Sequence, residues 1–315
     1  MRKLAITTAA ALTALTAVCA SGAWVYEGQW GSYGSGKGEF IHPYGLAVAP
    51  GGNVYVTDHG NHRVQYFTPM GSFLGMWGRL GTGEGQFMRT MHIAAADNGY
   101  VYVADRHNNR VQYFTSEGYI LGKWGSYGTG NGEFYYPTGI GIAANGNVYV
   151  SDYFNDRVQY FTAAGSYLGK WAVSGPGQSN RPWGVAVSPN GNVYVVDRGN
   201  ERVQYFTADG SFLGMWGSPG HGAGQFLEPR GLAVTVQGNV YVADMGHSRI
   251  QYFTPTGSFL GLFRGEFVSP WDVAFPISGT PVYVADSYHH RVQYFKWENP
   301  AVAPTSLGKV KALFR

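Results

Sequence analysis

Cysteine is nearly absent from this 315-residue sequence. Cys19 is the only one, so neither an intrachain disulfide nor a paired-cysteine motif can exist. Charge is scarce as well, with Asp, Glu, Lys and Arg making up 13% of the chain. The formal net charge of +3 resides at the two ends: Arg2 and Lys3 at one, and Lys309, Lys311 and Arg315 against Glu298 at the other, which leaves −1 for the body between them. A nearly neutral body lacks the basic face that a phosphate backbone requires, so nucleic acid is not an expected partner. Long apolar runs are limited to residues 4–20, a stretch interrupted by threonines and short for a membrane span. No stable span is expected. A Gly-x-Ser-x-Gly elbow and a haem-attachment sequence are also missing.

The one apolar run follows Met1-Arg2-Lys3 and leads into small residues up to Ala23, the order of a secretory signal peptide. Cleavage after Ala20 or Ala23 would remove Cys19. A lipoprotein signal ending at Cys19 is the competing reading, although Thr16-Ala17-Val18 matches poorly the residues usual before such a cysteine. The expected organisation is a leader over 1–23, a body over 24–297 and a flexible tail over 298–315. The expected location is secreted, periplasmic or at the cell surface.

Glycine, at 47 residues, and aromatics, at 16%, are abundant instead, as suits a sheet protein with many tight turns. The body is built on a fifteen-residue phrase, clearest as Asn53-Val-Tyr-Val-Thr-Asp58-His-Gly-Asn-His-Arg63-Val-Gln-Tyr-Phe67, which recurs so that its Asp falls at 58, 105, 152, 197, 244 and 286. Repeats at this spacing mark a solenoid, a propeller or an array. Val54–Val56 and Val64–Phe67 read as strands, with Asp58–Arg63 between them as a turn whose Gly and Asn tolerate positive φ. Pro43–Val48 reads as a further strand upstream and Gly71–Trp77 as another downstream. Four antiparallel strands repeated six times describe an all-β, six-bladed propeller. The downstream strand is missing after Phe295, whereas a matching Gly28-Gln-Trp30-Gly31 precedes the first copy. Residues 24–31 are therefore expected to complete the last blade and close the ring, leaving no long unpaired edge at the seam.

The succession Pro-x-Gly-Leu-Ala-Val, Asn-Val-Tyr-Val-x-Asp, Asn-x-Arg-Val-Gln-Tyr-Phe and Gly-Ser-Phe-Leu-Gly-x-Trp-Gly resembles the NHL repeat, and the resemblance covers residues 24–297. Members of that family include amidating lyases, RNA- and protein-binding modules and many secreted proteins without assigned activity. The resemblance therefore implies the fold more than the function.

Residues present in every copy serve the blade. The Asp58–Arg63 pair and its equivalents are expected to hold the turn, and Gln65 and its equivalents are read in the same way. Function is expected where the copies disagree. The residue after the repeat's proline is Tyr44, Met91, Thr138, Trp183, Arg230 and Trp271 in turn, a set that either rings the channel mouth to bind a ligand or simply plugs it. Aromatic faces there would suit sugars or peptide side chains, and Arg230 a carboxylate. The turn between second and third strands adds His59, Arg106, His107, Arg198, Met245, Ser287 and Tyr288. It also contributes the adjacent aromatics Tyr153 and Phe154, expected as an exposed contact surface.

In the amidating lyases that share the repeat, histidines at the starts of first strands hold zinc; the matching positions here contain none. His92 stands one residue further on, where other copies have glycine or Asp272, and reads as alone. A metal held by His289, His290 and His62 is a weaker option for the variable turns. No metal or other cofactor is expected. The sequence points to a monomeric, non-enzymatic binding propeller for an extracellular protein or glycan, with a metal-dependent lyase or lactonase as the alternative.

Overall fold

The computed structural model describes residues 22–173 and 181–298. The leader up to Ser21, with Cys19, and the tail from Asn299 lie outside the described residues. Six four-stranded antiparallel sheets form the blades. Blade one runs outward through Pro43–Val48, Val54–Asp58, Arg63–Phe67 and Phe73–Trp77. In blade six, Pro270–Ala274, Val282–Asp286 and Arg291–Glu298 are joined by Ala23–Trp30 as the outermost strand. The first and last described strands pair from Ala23 opposite Glu298 to Trp30 opposite Val292. The ring is closed by its own N-terminal strand.

Strand character follows from burial on both sides. Every residue of each second strand is buried, because each blade is stacked between two neighbours. The Val-Tyr-Val runs meet that need with β-branched and aromatic side chains. The tyrosine of the run then spans to the next blade: Tyr55, Tyr102, Tyr149, Tyr194 and Tyr283 donate their hydroxyls to the carbonyls of Ser116, Ala163, Ala208, Pro255 and Pro69, at 3.0–3.1 Å. The acceptors lie in the turn between third and fourth strands. Blade six has no such turn, since its fourth strand arrives from the other end of the chain, and Tyr241 packs instead on Trp24 and Phe275. A groove of about 380 Å³ lined by Trp24, Tyr241, Tyr252, Phe275 and Trp297 opens at this seam.

The Asp–Arg pair reaches beyond its own turn. Asp105 accepts from Arg110 Nε at 2.8 Å, Asn108 at 2.8 Å and Gln112 at 3.2 Å, and its other oxygen takes the Met88 backbone N–H at 2.8 Å. Arg110 meanwhile donates to the carbonyls of Thr82, Gly83 and Gln86. One buried carboxylate thus ties the long inter-blade loop to the blade. Positive φ in the turn falls on the residue before the arginine, not on Gly60 or Asn61: His62 has φ 57° and Asn109 φ 52°. Gly60 is needed for space, since a Cβ there would lie 2.4 Å from Ile41. Asn61 instead donates to Asp58 and to the Gly34 carbonyl.

Candidate functional site

The starts of the inner strands and the turns between second and third strands meet at one end of the channel. There Tyr44, Trp183, Arg230 and Trp271 line a cavity of about 330 Å³ together with His59, Arg89, Arg106, His107, Tyr153 and Arg198. Tyr44 and Trp271 stack face to face, 3.7 Å between centroids. Arg230 lies over Trp183 at 4.3 Å and over Trp271 at 4.6 Å. Arg106 and Arg198 each sit 5.4 Å from Trp183, so three guanidiniums surround one indole. Cation–π attraction is strongest for tryptophan and grows with desolvation, which is how arginines can be held together in a partly buried space.

The aromatic faces expected to receive a ligand are therefore largely taken up within the site, by one another and by arginine. Trp183 retains 6% of its surface and Arg230 the same. What faces the cavity is guanidinium chemistry. One carboxylate attends it: Glu228 receives Arg230 at 2.8 Å and Arg198 at 3.3 Å. Arg106 rests against Tyr136 and Tyr153 as well. Burial lowers the Arg230 pKa to about 10, with the neighbouring Arg198 adding to the effect; the group stays charged at neutral pH. Burial likewise lowers that of Arg106. His59 is held down to about 3, mainly by burial and further by Arg89 and Arg106. Its Nδ1–H donates to the Thr90 carbonyl at 2.8 Å, so Nε2 is the acceptor facing Arg89, 3.3 Å away.

The other candidates are placed differently. Thr138 lies between blades three and four, 2.8 Å from Ser151 Oγ and donating to the Pro182 carbonyl at 3.0 Å; as a small hydroxyl it is drawn into the blade interface and does not reach the cavity. Met91 is 2% exposed and packs beneath the cavity around a small void with Trp183 and Trp271. Tyr153 and Phe154 diverge: Tyr153 is buried at the cavity wall, whereas Phe154 stays 41% exposed over Tyr135 and Tyr136. They do not form one exposed pair, because the short 3-10 turn at Tyr153–Asn155 sends consecutive side chains in different directions.

His92 is not alone. Its Nδ1 accepts the Ile140 N–H at 3.3 Å, so Nε2 donates to Asp272, 3.1 Å away, and Asp272 also accepts the Leu46 N–H at 2.9 Å. These contacts link blades six, one, two and three across the bore. His290 accepts the His42 N–H, and His62 that of Arg89; the two histidines each clasp the blade that follows. His289 is bound to Asp286 at 2.8 Å. Among the described residues no three His, Cys, Asp or Glu side chains are grouped to hold a metal ion. Arg89 and Glu228 were not singled out in the sequence. They occupy the slot just before the repeat's proline position, which reads His42, Arg89, Tyr136, Arg181, Glu228 and Ser269. That slot varies as much as the one after it, and this was the available signal.

The architecture defines a six-bladed β-propeller. The NHL repeat family model matches residues 40–67, 180–206 and 226–253, and together with the six-bladed ring these matches support an NHL-repeat propeller. No curated protein matches it by sequence. Among solved structures it is similar to virginiamycin B lyase from Staphylococcus aureus, with a TM-score of 0.60 at 15% identity over 81% of this chain and 95% of that one. A gluconolactonase from Xanthomonas campestris has a TM-score of 0.64 at 14% identity over 89% and 99%. A protein of unknown function from Bacteroides thetaiotaomicron reaches 0.66 at 17% identity over 87% and 73%. At such identities the likeness is one of fold.

Proposed function

We propose that this chain is a non-enzymatic binding propeller that acts outside the cell and recognises an extracellular glycan or protein through the channel mouth. One observation carries the reading. Side chains that differ from blade to blade converge on a single cavity, whereas those shared by all blades are spent inside the ring on turns and loops. A scaffold that repeats everything except one mouth is built to present that mouth. The test is a screen of purified protein against glycan and protein arrays, repeated with Trp271→Ala. Loss of the hit, with the thermal midpoint still showing a folded ring, supports the reading; undiminished binding by the variant defeats it.

A lyase or lactonase is the second reading, favoured by the buried His92–Asp272 pair just below the cavity and by relatives in fold that bear those names. Both nitrogens of His92 are already engaged, which supports a structural strut rather than a proton carrier. Elemental analysis of the purified protein addresses it: one tightly held ion per chain, with activity lost on chelation, would replace binding by catalysis.

A further inference from the structure

Arg106 is the unexplained residue of the mouth. Its side chain has no hydrogen bond and no carboxylate among the described residues, and the guanidinium lies over the rings of Tyr136, Tyr153 and Trp183. Its Nε is buried without a partner, as are those of Arg198 and Arg230. The side chain lines the cavity. A partly desolvated guanidinium is costly unless something anionic completes it. Arg89, Arg198 and Arg230 share the same small space, and Glu228 answers only two of the four. The local charge is positive in a body that is otherwise slightly negative.

We propose that the mouth is a receptor for the carboxylate of an acidic sugar, a uronate unit within a glycan, with Arg106 and Arg89 as its principal ligands. The proposal rests on the binding reading above and narrows it. Guanidiniums recognise a carboxylate through paired N–H donors, and stacking on fixed rings leaves those donors preorganised at the cavity. The remaining polar groups decide between a sugar and a peptide. Glu228 at the rim is an acceptor, and the Tyr153 hydroxyl, which receives Arg198 Nη1 at 3.4 Å, adds both roles. Sugar hydroxyls beside the carboxylate can donate to such groups. An acidic peptide would bring further carboxylates against Glu228 instead. The cavity, about 330 Å³, suits one small unit rather than an extended segment.

The experiment titrates glucuronate, glucose, acetate, inorganic phosphate and an oligoglutamate peptide into the purified protein, following intrinsic tryptophan fluorescence, to which Trp183 and Trp271 contribute at the mouth. Arg106→Gln is compared with Arg79→Gln, which removes the same charge from an exposed loop position outside the cavity. A charge-assisted hydrogen bond is worth roughly tenfold or more in affinity. Arg106→Gln is therefore expected to weaken glucuronate about tenfold or more, with Arg79→Gln unchanged. Glucose is expected not to compete. Should Arg106→Gln fail to fold, Arg89→Gln, at an exposed position, carries the same expectation. Glucose binding as well as glucuronate, or the two arginine variants behaving alike, would overturn the carboxylate. Acetate or phosphate binding as tightly as glucuronate would overturn the sugar, and tighter binding of the peptide would transfer the site to acidic proteins. A neutral glycan captured at the mouth and lost with Trp271→Ala would refute this proposal and leave the broader binding reading standing.

Discussion

Asp105→Ala tests the claim that a single carboxylate joins blade and loop. The substitution removes the acceptor of four hydrogen bonds, from Met88, Asn108, Arg110 and Gln112, and leaves Arg110, 7% exposed, without its counter-charge. Breaking a buried pair from one side costs about 3–5 kcal/mol, most of it the penalty of the orphaned ion. The three loop carbonyls that Arg110 still holds soften this without replacing a charge. At about 2 °C per kcal/mol for a chain of this size, the thermal midpoint should fall by roughly 6–10 °C. The loop over residues 79–89 should also gain amide exchange, because the Met88 N–H loses its acceptor and the guanidinium that grips Thr82, Gly83 and Gln86 loses its anchor. Adding Arg110→Met should restore part of the loss, since a buried ion pair replaced by apolar side chains is often neutral. Calorimetry on the three proteins decides the matter. A change of under about 1 kcal/mol for Asp105→Ala, the level of an exposed pair, would refute the reasoning.

Removal of Ala23–Trp30 should leave the sixth blade a strand short and strip Trp24 and Trp30 from the aromatic clusters around Tyr241 and Tyr283. At about 3–5 kcal/mol for each large aromatic, the loss rivals the whole stability of a typical domain, and a retained midpoint would contradict strand closure. Gly118→Ala should cost more than Gly99→Ala. Both sites have positive φ, +90° and +84°, but only at Gly118 does the new Cβ meet a side chain, 2.5 Å from Trp77; equal denaturation midpoints would count against this packing. Acidification should weaken the ring through His59. Its folded value of about 3 lies below the ordinary value, so the unfolded chain binds the extra proton. Stability is complete above about pH 6.5 and declines towards pH 3, by at most about 1.4 kcal/mol per pH unit. His59→Asn should show a shallower decline between pH 7 and 4.5, and a parallel one would remove His59 as the cause.

The ring was legible because its evidence is local and repeated: the same strand phrases return, and one missing fourth strand with one surplus copy at the start specifies the closure. The loop tie from Asp105 to Met88 was not legible, since it joins residues seventeen apart through a side-chain to backbone contact that leaves no periodic trace. The mouth was half legible. Variation after the proline pointed to Tyr44, Trp183, Arg230 and Trp271, yet the same slot delivers Thr138 into a blade interface. Side-chain size and hydrogen-bonding appetite decide that, and the slot's position does not. The sequence also could not show that arginine would cover the aromatic faces, because the partners come from different blades and meet only when the ring is closed.

Five boundaries between blades have a tyrosine hydroxyl bolted to the neighbouring turn; the boundary between blades five and six has aromatic packing and a groove in that place. A necklace parts at its fastener, and this boundary, beside the strand that closes the loop, is the fastener. At the inner end of the same boundary, Arg230 of blade five lies over Trp271 of blade six, 4.6 Å from its ring, so a side-chain stack at the mouth holds the two blades where no hydroxyl does.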